Sequence, residues 1–443
     1  MLLPFAKPAS MLLAMLMTLT SCAPRPAGSS SSRGPEELTP PSVSQGNDSS
    51  DPLEELTPPS VSQGSGSQGD ASLDEADVEA LAPVLQLTQE DVDQALEEVM
   101  ANYSAAAVSV AAIEHGQLSQ SGAWGWAVKD EREMTPDTKV RIASISKVVV
   151  GMCAMAMAED GLLDLDAPLS DYWGAGVGNP YSEGHPSARN LMTHTSSVKD
   201  LSTTRGLSKL RGLLQSSSSW RSMEPGDGGY WYYSNFGFCV LGTTLELAAD
   251  RLLDDYLQER FLQPMGIRAT FYSGNMEEDE VATLYTTGGI GRSAAEHAGQ
   301  TVPTEVGMGA SYYPGGFTVS AVDMAKLVSV LINDGTYQGT QYLTPESVAA
   351  METPQFTVDP GETSPFEQCL VLRRQENALG QDVLYYHTGS AYGVFSLMTY
   401  NPETGNGVVV ITTGTARKTD EHGLYALCAD LSENLYARME QSA

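Results

Sequence analysis

The chain has 443 residues, enough for one large domain or two modest ones with a real core. It carries 56 Asp and Glu against 24 Lys and Arg, for a formal charge of −32 at pH 7. That balance argues against a nucleic-acid partner, which needs clustered Lys and Arg to neutralise phosphates, and fits a soluble acidic surface.

Residues 1–22 hold one cation, Lys7, then an apolar stretch from Met11 to Leu19, then small residues before Cys22. That is the layout of an export signal. Leu19-Thr20-Ser21-Cys22 also resembles the lipobox of bacterial lipoproteins. The resemblance implies cleavage before Cys22 and lipid on its thiol. The membrane would then be a partner, with the protein anchored to the outer face of a bacterial membrane. The plainer alternative is ordinary secretion, with Cys22 incidental.

Residues 23–80 are rich in Pro, Ser, Gly and acids and nearly devoid of aromatics. Such a segment cannot bury enough apolar surface to order itself. It contains a direct repeat, EELTPPSVSQG, at Glu36–Gly46 and again at Glu54–Gly64. Two copies with paired prolines make a duplicated tether rather than a solenoid. A flexible tether of this length typically reaches about 45 Å.

Residues 81–443 read as the folded part. Leu87–Ala101 has helical periodicity, with Thr88 as N-cap. The segment 105–130 reads as a hairpin turning around Glu114–Gln117. The run Arg141–Ala158, "RIASISKVVVGMCAMAMA", has no charge after Lys147, which marks a buried helix too short to cross a bilayer. A region from about 160 to 345 mixes helices and loops, with strong helices at 236–262 and 319–334. Strands return at Val383–His387, Val394–Tyr400 and Gly407–Thr413, and a last helix is predicted from about Asp420 to Arg438. Consecutive strands with short turns pair antiparallel. The expectation is an α/β protein whose sheet is built from both ends of the chain and interrupted by a mostly helical domain. Cys153, Cys239, Cys369 and Cys428 sit in apolar surroundings with no metal-ligand spacing and read as buried thiols.

A lone ammonium inside an apolar helix is costly unless something pairs with it. Ser144 and Lys147 are three apart, on one face of a helical turn. The amine can assist the serine as a nucleophile, and free N–H groups at a helix start can stabilise an oxyanion. The pattern S-x-x-K is weak alone, and the chain offers a second copy at Ser196–Lys199. Company separates them: Tyr233-Ser234-Asn235 and then His387-Thr388-Gly389-Ser390 lie downstream. Taken singly, Tyr233 in an aromatic run and His387 on a strand read more plainly as core residues.

"RIASISK", "YSN" and "HTG" in this order resemble the serine β-lactamase and penicillin-binding family, of the class C type. "TPDTKVRIAS", "LMTHTSS", "PMGIRATFY" and "PGGFTVSAVDMAKL" extend the likeness over about residues 85–440. It implies a β-lactamase/transpeptidase-like fold, with an antiparallel sheet flanked by helices. It also implies that Ser144 attacks a carbonyl while Lys147 and Tyr233 share the proton transfers. Asn235 would face a substrate carbonyl or Lys147, and His387 stands where lactamases usually carry lysine. Thr388 would reach a substrate carboxylate, Gly389 would let substrate lie close, and the N–H groups of Ser144 and Ser390 would form the oxyanion hole. Ser196 falls in the family's "LTHTSG" stretch, where Ser197 replaces a glycine. Lys418-Thr419-Asp420 follows the wrong strand and has Asp for Gly.

The expected protein is an extracytoplasmic serine hydrolase working through an acyl-enzyme, with no metal and no cofactor. Its substrate would be a small molecule or peptide, with peptidoglycan fragments acted on in the manner of a D,D-peptidase. A carboxylic ester hydrolase, a weak β-lactamase and a silent binding lipoprotein are the alternatives.

Overall fold

A computed structural model describes residues 86–441. The expected export signal, Cys22 and the tether of residues 23–80 lie outside the described residues. Strands β1 (Ala107–Glu114), β2 (Gln117–Val128) and β3 (Arg132–Glu133) come from the start of this region. Strands β4 (Val140–Arg141) and β7 (Thr318–Val319), β5 (Leu284–Thr286) and β6 (Gly289–Arg292), and β8 (Thr336–Tyr337) and β9 (Thr340–Gln341) form three small pairs. Strands β10 (Phe356–Val358), β11 (Phe366–Gln368), β12 (Arg373–Ala378), β13 (Gln381–Ala391), β14 (Val394–Asn401) and β15 (Asn406–Thr413) follow. One antiparallel sheet runs in the order β10-β11-β12-β13-β14-β15-β1-β2-β3. It joins both ends of the described chain, because β1 pairs with β15 from Ala107↔Thr413 to Ile113↔Gly407.

The five longest described helices are α1 (Gln89–Met100), α2 (Ser146–Glu159), α3 (Asn235–Ala249), α4 (Ala321–Ile332) and α5 (Ala426–Gln441). They cover both faces of the sheet, which is why β1, β14 and β15 are buried along their whole length instead of alternating. Val108, Val110 and Ala112 join α1 and α5 in one core. Ala111, Ile113, Val409 and Ile411 join α2, α3 and α4 in the other. Thr88 caps α1 in a reciprocal box with Asp91.

The α/β class and the antiparallel sheet are as expected, with three local departures. Strands β10–β12 were not legible, since they are short and the segment Arg373–Ala378 is mostly polar. The last helix starts at Ala426 because the Asp420 carboxylate accepts the N–H groups of His422 (3.0 Å) and Leu424 (2.7 Å) and holds a turn. The region from 160 to 345 holds more loop than expected, and only α3 and α4 there exceed ten residues. All four cysteines of the described residues are buried and free.

Helix α3 packs so tightly that a Cβ on Gly242 would fall 2.1 Å from Cδ2 of the buried Tyr313 ring. Gly242→Ala is therefore expected to lower stability by about 1–3 kcal/mol through overpacking, read as a lower urea midpoint at unchanged slope.

Candidate active site

The chain reaches Ser144 under tension. Arg141 pairs with Thr318 in the short β4–β7 ladder, and the Ile142 N–H donates to the Phe317 carbonyl at 3.0 Å. Ala143 then takes a left-handed backbone, φ 53°, which costs an alanine energy. Ser144 lies in the 3₁₀ turn Ala143–Ile145 that follows, one step before α2, and not in the α-helix itself. The Ser146 hydroxyl pins this turn by donating to the Ala143 carbonyl (2.6 Å) and accepting from the Phe317 N–H (3.0 Å). Ser144 stays half-buried while Ala143, Ile145 and Ser146 are buried.

Lys147 is fully buried in the first turn of α2. Its ammonium donates to Ser144 Oγ (3.1 Å), Asn235 Oδ1 (3.0 Å) and the Pro314 carbonyl (2.5 Å). An ammonium has three protons, and here each has an acceptor. No carboxylate is among these partners, but the rings of Tyr233 and Phe238 lie 5.0 and 5.3 Å from the nitrogen.

Tyr233 and Asn235 flank the start of α3. Ser234 caps that helix by accepting from the Gly237 N–H at 2.8 Å, and Asp200 accepts from the Phe236 N–H at 3.0 Å. His194 lies against the Tyr233 ring at 4.4 Å. It accepts the Ser234 N–H on Nδ1 at 3.2 Å. Burial alone would raise the Tyr233 phenol. The Lys147 charge, hydrogen bonds with Lys147 and Ser144, and Arg373 outweigh it, and the net displacement is downward.

Strand β13 supplies the opposite wall. His387 is buried, and its Nδ1 donates to the Thr388 carbonyl at 2.7 Å. Burial first, then Arg373 and Lys147, push it well below the usual histidine range. The imidazole is therefore neutral, with Nε2 as acceptor, where a lysine would have brought a second charge. A Cβ on Gly389 would fall 2.2 Å from the Ile142 carbonyl, 2.3 Å from Ser396 Oγ and 3.2 Å from the Ser144 nitrogen. Only glycine fits there, and the contact brings β13 against the Ser144 turn. Ser390 follows and is exposed. Strand β12 stops pairing at Arg373↔Tyr386, so β13 from His387 to Ala391 has no ladder partner on that side. Thr388, half-buried, stands on this open stretch.

The sequence reading missed Arg373. Its guanidinium lies 4.5 Å from the Phe366 ring and 5.9 Å from those of Trp231 and Tyr233, with no carboxylate ion pair among the described residues. It lines a cleft of about 440 Å³ with Trp231, Phe366 and Tyr386. The one hint in the sequence was its position on a strand next to β13, and that strand was not legible. A larger cleft of about 1020 Å³, lined by Trp126, Tyr285 and Ile290, contains none of these groups. Among the described residues no cluster of His, Cys, Asp or Glu is arranged to hold a metal ion.

The decoys fall away on geometry. Lys199 donates to the Ser218 carbonyl at 2.8 Å, not to Ser196. Ser197 adopts φ 64°, which explains a glycine preference at that position, and its Oγ accepts from Asn179 Nδ2 at 2.8 Å. Thr419 is bridged to Tyr425 beyond the last strand.

A family model described as Beta-lactamase matches residues 92–431, and the chain belongs to that family. Protein Rv1367c of Mycobacterium tuberculosis is 28% identical over 254 residues, 51% of this chain and 61% of that one. The D-aminopeptidase of Brucella anthropi is 28% identical over 38% of this chain and 33% of its own. The chain thus spans between a third and three-fifths of these two relatives. A Beta-lactamase of Pseudomonas fluorescens is 24% identical over 72% of this chain and 92% of its own. Two solved structures share the fold. The octameric penicillin-binding protein homologue from Pyrococcus abyssi has TM-score 0.62 and 21% identity, over 80% of this chain and 79% of its own. The D-amino acid amidase from Ochrobactrum anthropi SV3 has TM-score 0.62 and 20% identity, over 80% and 100%. The expected family and fold are thereby borne out.

The lowered Tyr233 phenol makes a rate prediction. Hydrolysis of a chromogenic ester should rise with pH through an apparent pKa below the ordinary value of 10.0, as the proton-accepting phenolate forms. Tyr233→Phe should lose that rising limb and about 10²–10⁴ in rate. A pH–rate profile of both proteins measures it.

Proposed function

We propose that the protein is a serine hydrolase that opens amide bonds through an acyl-enzyme, acting on peptides that end in a free carboxylate, as a D,D-peptidase does on cell-wall peptides. The carrying observation is the Lys147 ammonium. All three of its protons are engaged, one by Ser144 Oγ. Its charge favours the Tyr233 phenolate, which assigns the base role to Tyr233.

In this reading the Tyr233 oxygen takes the Ser144 proton as Oγ bonds to the substrate carbonyl carbon. The N–H groups of Ser144 and Ser390 hold the resulting oxyanion. The C–N bond then breaks, and Tyr233 passes the proton to the leaving amine. In the second half a water oxygen bonds to the acyl carbon as its proton goes to Tyr233. The ester C–O bond then breaks, and Tyr233 returns that proton to Ser144 Oγ, restoring the serine hydroxyl and the phenolate. Asn235 fixes Lys147, and His387, being neutral, accepts a hydrogen bond without adding charge. Thr388 and Arg373 suit a carboxylate on the leaving arm, since Arg373 has no acidic ion partner among the described residues and sits in a cleft beside β13.

The D-aminopeptidase and D-amino acid amidase likenesses favour a second reading, hydrolysis of D-amino acid amides or amino-terminal D-residues. Ester hydrolysis and weak β-lactam turnover use the same machinery. A binding lipoprotein without turnover is the remaining rival, and the Ser144–Lys147–Tyr233 arrangement weighs against it. Export and lipid anchoring through Cys22 are part of the proposal, supported by the signal-like residues 1–22.

The test is intact mass of the protein with labelled penicillin, followed from minutes to hours, with Ser144→Ala alongside. A slowly lost adduct on the wild type alone, together with release of D-alanine from an acyl-D-Ala-D-Ala peptide, is expected. Release of ammonia from D-amino acid amides with no D-alanine release would favour the second reading. Labelling of Ser144→Ala would contradict the assignment.

A further inference from the structure

The open stretch of β13 has two ends, and only the Arg373 end enters the reading above. At the other end, two residues past Ser390, stands Tyr392, 45% exposed. Two guanidinium groups lie over its ring, Arg141 at 5.0 Å and Arg292 at 4.8 Å from the centroid. They reach it from separate elements: Arg141 from β4, three residues before Ser144, and Arg292 from the β5–β6 hairpin. Close backbone approaches lock the hairpin to the β13–β14 turn. A Cβ on Gly393 would fall 2.0 Å from the Tyr285 carbonyl, and one on Gly291 would fall 2.5 Å from the Tyr392 carbonyl.

Neither arginine has a carboxylate ion partner among the described residues, although Arg189, Arg251, Arg260, Arg268, Arg374 and Arg438 do. Arg141 spends its Nε proton on the Gly315 carbonyl at 2.5 Å, which fixes the group but does not neutralise it. Glu296 feels the Arg292 charge, but its carboxylate accepts the Ser293 N–H at 2.8 Å at a helix cap and makes no ion pair. Behind the pair, His297 is buried with Nε2 unpartnered. In a chain with 56 acids and 24 bases, two arginines without a carboxylate ion pair stand together near the Ser144 turn.

We propose that Arg141, Tyr392 and Arg292 form a subsite for a carboxylate on the acyl arm of the substrate. This rests on the serine-hydrolase reading of Ser144. A bond held at Ser144 and Ser390 sends one arm along β13 toward Arg373 and the other toward Tyr392. With the leaving arm at Arg373, the acyl arm meets the arginine pair. Guanidinium forks grip carboxylates through paired hydrogen bonds, and the Tyr392 ring keeps them oriented. The substrate class is then an acidic acyl peptide, with one negative group on each side of the scissile bond.

The test uses two p-nitrophenyl esters, of N-succinylglycine and of N-butyrylglycine, whose acyl arms end in a carboxylate or a methyl group. The activated leaving group acylates a reactive serine whatever the natural leaving group is. Wild type, Arg292→Gln and Ser144→Ala are compared by kcat/KM and by the acyl mass on the protein. The readout is the succinyl-to-butyryl ratio within each protein, so a general loss of activity cancels. The wild type should favour the succinyl ester by about tenfold, the preference should shrink with added salt, and Arg292→Gln should bring the ratio near one. Equal rates in the wild type, a preference that persists in Arg292→Gln, or no Ser144-dependent acylation by either ester would overturn the subsite. A succinyl preference without D-alanine release from acyl-D-Ala-D-Ala peptides would keep the subsite and remove the D,D-peptidase reading.

Discussion

The site is organised by one buried ammonium without a carboxylate. Moving a charge out of water costs several kcal/mol unless its hydrogen bonds are replaced. Lys147 replaces them with a serine hydroxyl, an amide oxygen and a peptide carbonyl, from three separate parts of the chain. Each is neutral, so the positive charge stays available to the groups around it. It opposes burial in lowering Tyr233, and it adds to burial and Arg373 in keeping His387 uncharged. A carboxylate partner would have made the lysine cheaper to bury and removed that influence.

Much of the fold serves to bring those acceptors together. The sheet closes N-terminal strands onto C-terminal ones, which sets β13 beside the turn before α2. Gly389 allows the approach, and Ser396 completes it by donating to the Ile142 carbonyl at 2.8 Å. The Pro314–Phe317 segment crosses the same turn and supplies both the Lys147 carbonyl and the anchor for Ser146. The left-handed Ala143 is held from both sides, so its strain is carried by the surrounding packing.

The sequence made some of this legible and hid the rest for identifiable reasons. Buried strands and helices with continuous apolar runs, such as β15 and α2, announce themselves by composition. Ser144, Lys147 and Asn235 were readable because their spacing recurs with their chemistry, and the fold brings them within hydrogen-bonding distance. Arg373 was hidden because β12 is polar and short and its register with Tyr386 is a long-range fact. The pairing of Arg141 with Arg292 across Tyr392 was hidden likewise, since 151 positions of chain separate the two arginines. The 3₁₀ turn at Ser144 depends on Phe317, which no local pattern records.

The central claim is that the Lys147 charge serves chemistry rather than stability. Lys147→Met, close in shape and uncharged, separates the two. The account predicts that Ser144 acylation by a nitrophenyl ester falls about 10²–10⁴-fold while the urea midpoint is kept or rises. Acylation at the wild-type rate by a folded Lys147→Met protein would contradict it.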